Sequence, residues 1–175
     1  MRRAARILLS GLIAAGFTMM AFAQANSRGT SSITLKGKTV SVEYGRPSLN
    51  GQTIEQRLAA LPQGRLWRLG SNKSTTFKTD IPLAFGNVAI PAEEYSIWMQ
   101  QQPDKSWNLL FDKQHGQWGE PPPAASDCFA SVPLKDTKAK DSADLVTITL
   151  AKAGKGGTIT IQWGTLEVSA DFTAK

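Results

Sequence analysis

RLWRLGSNKSTTFKTD, residues 65–80, reads as strand, turn and strand. Trp67 and Leu69 share one face of the first strand, and Arg68 shares the other with Leu66. Gly70 to Lys73 supply turn chemistry, and Thr75, Thr76 and Phe77 are good strand formers. A tryptophan, an arginine, a glycine turn and small hydroxyl residues therefore fall within one unit. One face of that first strand must meet a core. Arg68 then either points out into a groove or is buried beside a charge partner.

The same two-residue period runs outward on both sides. Val40, Val42 and Tyr44 alternate with Ser41 and Glu43, until Gly45-Arg46-Pro47 stops the strand. Tyr95, Ile97 and Met99 alternate with Ser96, Trp98 and Gln100. Leu83 to Phe85 and Val88 to Ile90 flank a Gly86-Asn87 pair that suits a tight hairpin turn. Pro103-Asp104-Lys105 turns the chain before Trp107 to Phe111. Residues 112–126, with Pro121-Pro122-Pro123, have no period and read as a long loop, a place where function often resides. Cys128 to Leu134 is a short strand and residues 135–144 a charged connector. Strands follow over 145–150, 159–163 and 166–172. Residues 53–61 carry the helical pattern of the segment after residue 24, with Ile54, Leu58 and Leu61 on one face and Pro62 and Gly64 beyond it. About ten short strands and one small helix predict an all-β fold, an antiparallel sandwich of jelly-roll type. Val40, Val42, Tyr44, Ile97, Ile159, Ile161, Val168 and Phe172 are its expected core.

The beginning of the chain has a different composition. Arg2, Arg3 and Arg6 precede an apolar run over residues 7–22, and Ala21-Phe22-Ala23 offers a small-x-small cleavage pattern. Residues 1–23 are expected to be a signal peptide, 24–32 a flexible leader, and 33–175 one domain. Cleavage would leave no transmembrane segment and place the protein in the periplasm or outside the cell. It would remove three of 20 basic residues and none of 14 acids, so the net charge falls from +6 to +3. That scattered surplus lacks the concentrated basic stripe a nucleic-acid footprint needs, so no nucleic-acid partner is expected.

Tyr44-Gly45-Arg46-Pro47, then Trp67, Arg68, Gly70, Asn72 and Thr75, then Pro91, Ala92 and Tyr95, and finally Trp118-Gly119 form a pattern. It resembles the DUF2911 family of exported bacterial proteins, whose function is not established. The resemblance runs from Val40 to Val132 and weakly beyond. It implies a fold and an exported address, and no reaction. Glu93 stands where the family's turn has glycine, and Gln52 where a Gly-Arg pair is typical. Pro121 to Pro123 occupy the region where a tyrosine is expected after Trp118-Gly119.

The residue inventory narrows the chemistry. One histidine, His115, and one cysteine, Cys128, cannot build the usual zinc sets, and no calcium loop is present, so no metal and no cofactor are expected. One cysteine also excludes an intrachain disulfide. Cys128 reads as a buried strand residue that reacts slowly. His115 with Asp127 or Cys128 is the alternative reading, a hydrolase of unknown class. Adjacent Glu93 and Glu94 point apart on an extended chain and read as surface charge. Arg46 and Arg68 are the sharper candidates. Each is either ion-paired, with Glu43, Asp80 or Asp127, or presented to a ligand. In the second case Arg46, Arg68, Asn72, Thr75 and His115 supply polar contacts and Trp67 or Trp118 a stacking wall. The leading expectation is a non-catalytic protein that binds a small polar molecule, a glycan or an envelope partner. A purely structural interaction domain is the remaining alternative.

Overall fold

The computed structural model describes residues 27–61 and 64–175. The expected signal peptide, the first three leader residues and Pro62 lie outside the described residues. Nine strands are present among the described residues: β1 Arg28–Leu35, β2 Lys38–Gly45, β3 Thr75–Thr79, β4 Leu83–Phe85, β5 Val88–Ile90, β6 Glu94–Gln101, β7 Trp107–Asp112, β8 Ala130–Ala153 and β9 Gly156–Ala174. Every ladder is antiparallel, in the order β1-β2-β3-β6-β7-β8-β9-β4-β5. The all-β, antiparallel class with one short helix is the class that forms.

The tight turns are made by residues able to take positive φ. Lys36 and Gly37 (φ 49° and 74°) join β1 to β2, and Gly86 (φ 57°) opens the β4–β5 turn. The helix α1, Ile54–Ala59, starts on a capping box between Thr53 and Gln56. It is pinned by Arg57, whose Nη2 donates to the carbonyls of Ser48 (3.2 Å) and Leu49 (3.0 Å).

The eight expected core residues are all buried, within one large cluster. The period-two reading of β2 and β6 is therefore the face that meets the core. The opposite face of β6 and β7 is also covered: Trp98 and Leu110 pack with Leu66, and Ala125 and Cys128 lie against them.

The first end of the sheet comes round to β8. Ser31 Oγ accepts from Leu150 N–H at 2.9 Å, Pro47 O from Val146 N–H at 3.1 Å, and Asp144 O from Leu49 N–H at 2.9 Å. These bonds close a seam between β1–β2 and the distal half of β8.

Three local expectations are corrected. Residues 28–32 are not a flexible leader; they belong to β1, in register from Arg28 opposite Gly45 to Leu35 opposite Lys38. Their Ser, Thr and Gly give no hydrophobic period, yet backbone ladder bonds need none. Residues 66–69 form a single bridge, Trp67 to Met99, because Leu69 (φ 55°) and Asn72 (φ 65°) leave the extended region at once. The charged connector 135–144 and its flanking short strands are one strand, β8. Two register shifts, between Lys138 and Ala143 and between Ala143 and Thr147, absorb its bend against β9.

Candidate functional site

The two arginine-bearing segments meet backbone to backbone. A Cβ placed on Gly45 would lie 2.3 Å from Ser71 O, and one on Gly70 would lie 2.9 Å from Gly45 O. Only glycine permits this approach from both sides. Thr75, fully buried, ties the turn down by donating its hydroxyl to Leu69 O at 3.2 Å. Arg46 leaves this junction toward β8, where Nε donates to Val146 O (3.2 Å) and Nη2 to Thr147 Oγ1 (3.5 Å). It braces the seam. Trp67 is buried, stacked on Trp163 at 5.4 Å and edge-on to Trp107 at 6.5 Å. Trp67 and Thr75 are thus packed inside the fold, and Arg46 is spent on β8.

Arg68, Asn72 and Trp118 come together. The loop after β7 is held on the 72–74 backbone: Gly119 N–H donates to Asn72 O at 2.9 Å, Ser74 N–H donates to Gln117 O at 2.9 Å, and Lys73 bridges Trp118. Arg68 lies on the face opposite the buried Trp67 and Leu69 and is half-buried. Its Nε donates to Gly70 O at 3.2 Å, and Gly119 rests on its stem, where a Cβ would come within 2.5 Å of Arg68 Cδ. Among the described residues no carboxylate lies within 4.0 Å of the Arg46 or Arg68 guanidinium. Glu43 pairs with Arg28 instead. Arg68 therefore positions the Trp118–Gly119 turn.

Beneath that loop lies a connected set of polar groups. Ser96 Oγ donates to Gln114 O at 2.7 Å and accepts from Trp98 Nε1 at 2.9 Å. Gln117 accepts at Oε1 from Ser74 Oγ (3.4 Å) and donates from Nε2 to Gln114 O (3.2 Å). The loop is thereby fixed from below, and Trp118 stands out from it with 59% of its surface exposed. Beside the ring is a cleft of about 440 Å³, walled by Gln114, Gln117, Glu120 and Pro121 to Pro123. Trp118 is the expected site residue that lines it.

His115 is exposed, and its Nδ1 lies 3.4 Å from Glu94 Oε1. Cys128 is half-buried, its Sγ 4.0 Å from Ala124 O. Burial, with the Asp112 and Asp127 charges beside it, pushes its thiol up to about 11. That favours the neutral thiol over the nucleophilic thiolate. Among the described residues no three His, Cys, Asp or Glu side chains are grouped to hold a metal.

Gln114, Gln117 and Glu120 were not singled out from the sequence. The signal was available: five of the chain's ten glutamines fall in residues 100–117. A second cleft, of about 430 Å³, holds the other three, Gln100 to Gln102, beside Leu58 and Trp107.

A family model described as "Protein of unknown function (DUF2911)" matches residues 26–172. No curated protein and no solved structure matches the chain.

Proposed function

The chain belongs to the DUF2911 family, and we propose that this member is an exported, non-catalytic protein that binds a small polar ligand in the cleft beside Trp118. The observation that carries the reading is a large indole held out into solvent on a loop pinned by backbone bonds. A tryptophan left exposed forgoes its burial energy, while a rigid aromatic wall flanked by amides suits a ligand with one apolar face and several hydroxyl or amide groups. Pinning the loop before the ligand arrives lowers the ordering cost of binding. Arg68 and Asn72 serve this site by holding its loop.

A thermal-shift and calorimetric screen of monosaccharides, amino acids and other small polar solutes tests the reading. A ligand that raises Tm in the wild type and has no effect on Trp118→Ala is the expected result. Ligands that bind the two proteins equally, or no ligand at all, would overturn it. Export rests on the Arg2-Arg3-Arg6 cluster, the apolar run and Ala21-Phe22-Ala23. The intact mass of protein recovered from the cell envelope should begin at Gln24, and a retained Met1 would refute that part.

A further inference from the structure

We propose that the ligand is a neutral oligosaccharide lying across both clefts, with a subsite on each side of the Arg65–Glu120 ion pair. The inference rests on the Trp118 reading and extends it to a ligand class and a length.

The two clefts are neighbours through one contact. Arg65 lines the second cleft and Glu120 lines the first. Arg65 Nη2 bonds to Glu120 Oε2, and both side chains are partly exposed. The pair is therefore a saddle between two hollows. Each hollow, at about 430 and 440 Å³, sits toward the small end of the range for ligand pockets, roughly 300–1,000 Å³. Two hollows flanking one ion pair offer two places for the units of a chain.

The wall chemistry selects the class of chain. Five glutamines face the two hollows, each amide offering a donor and an acceptor. A sugar hydroxyl is likewise both donor and acceptor, so amide walls match a polyol without any charge. Anionic groups are instead recognised by guanidinium forks, and here the Arg65 fork is already bonded to Glu120. Lys105 is the one further charged residue of either lining. Some of the amides are preset. Gln100 Nε2 donates to Gly64 O (3.2 Å), Gln102 Nε2 to Gln100 Oε1 (3.3 Å), and Gln117 is fixed by Ser74. Apolar surface is present in both hollows: exposed Trp118 in one, half-buried Leu58 and Leu61 in the other. Pyranose rings, with a C–H face and a hydroxyl rim, fit such surfaces.

The test is calorimetric titration of the signal-free protein with di- to hexasaccharides of the cello, manno, chito, malto and xylo series, with oligogalacturonate as the anionic control. In one neutral series affinity should rise roughly tenfold or more from disaccharide to hexasaccharide, as a second subsite is reached. Trp118→Ala should lose binding at every length. Gln101→Ala, at an exposed position in the second cleft, should bring the hexasaccharide down to the disaccharide's affinity and leave the disaccharide unchanged. Equal urea midpoints for wild type and both variants would show that folding is intact. Disaccharide binding with no gain on lengthening, or a hexasaccharide indifferent to Gln101→Ala, would overturn the two-subsite groove and leave the Trp118 reading standing. Binding of oligogalacturonate alone, or of a non-sugar solute that needs Trp118, would overturn the neutral-glycan assignment only. If nothing binds, both readings fall.

Discussion

Arg68 shows how far one residue can be read before its surroundings are known. Alternation puts Trp67 and Leu69 on one face and Arg68 on the other, and the structure keeps that division even though the ladder there is one bridge long. What alternation cannot supply is the partner, because Arg68 meets Gly119, which lies far along the chain and arrives by loop bonds to Asn72 and Ser74. With no carboxylate beside it among the described residues, removing Arg68 should not carry the several-kcal/mol penalty of breaking a buried ion pair. Arg68→Ala should cost about 1 kcal/mol, for one hydrogen bond and its stem contact, and should loosen the Trp118 turn. Arg68→Lys keeps the stem, loses the Nε donor, and should fall between. Urea unfolding reads the stability, and fluorescence quenching of Trp118 by iodide reads the loop. Trp118→Ala, at an exposed site, should change stability by no more than about 0.5 kcal/mol, so any loss of ligand belongs to the site. At Cys128 the expected burial proves partial. The raised thiol should still react slowly with thiol reagents at neutral pH, and a fast stoichiometric reaction would contradict the assignment.

Elements were legible where their side chains alternate and obscure where the backbone alone makes them. β2 and β6 declare themselves through Val40, Val42, Tyr44, Tyr95, Ile97 and Met99. β1 and the middle of β8 do not, because Ser, Thr, Lys and Asp on half-exposed pairs leave no hydrophobic period. Lys135 is held by Asp171 at 2.8 Å and Thr137 by Glu167 at 2.9 Å, cross-strand bonds that a one-dimensional reading takes for a solvated linker. The junction between the end of β2 and the 69–71 turn was visible only as two motif segments; its reason is steric. Gly45→Ala drives a methyl into the backbone of Ser71, where no side chain can swing away. It should cost at least about 1–3 kcal/mol, or prevent folding. Gly37→Ala, where a Cβ meets nothing but φ is 74°, should cost only about 1 kcal/mol. Thermal unfolding of the two variants side by side separates steric conflict from backbone strain.

On the scale of the whole molecule the sequence could announce an all-β class and a core. It could not announce that the β1–β2 end of the sheet comes round onto β8, since that seam is made by Ser31, Arg46 and Pro47 against residues about a hundred positions away. Two weak acids prefer to stay neutral, Tyr95 in the main core and half-buried Cys128 on the opposite face of β6 and β7. Tyr95 packs against Phe111 and Phe129 and donates its hydroxyl to Pro91 O at 3.0 Å. Burial, with Glu93 nearby, raises it from 10.0 to about 12. Cys128 rises from 9.0 to about 11 for the reasons given above. Well below pH 9 both groups are protonated in the folded and the unfolded chain, and neither makes stability depend on pH. As pH climbs past 9 the unfolded thiol loses its proton first, and past 10 the unfolded phenol does so too. The unfolded chain then binds fewer protons than the folded one, so unfolding free energy must fall with rising pH. The decline should begin near pH 9 and level off near 12, where the folded groups ionise as well. Urea midpoints measured across that range should shift steadily downward. Tyr95→Phe starts lower by about 1 kcal/mol for its lost hydrogen bond but should decline less steeply above pH 10, so that its curve approaches the wild type's. Cys128→Ala should remove the slope between 9 and 10 and reduce it between 10 and 11, leaving the part above 11. Parallel curves for wild type and both variants would mean that neither group is held neutral by the fold.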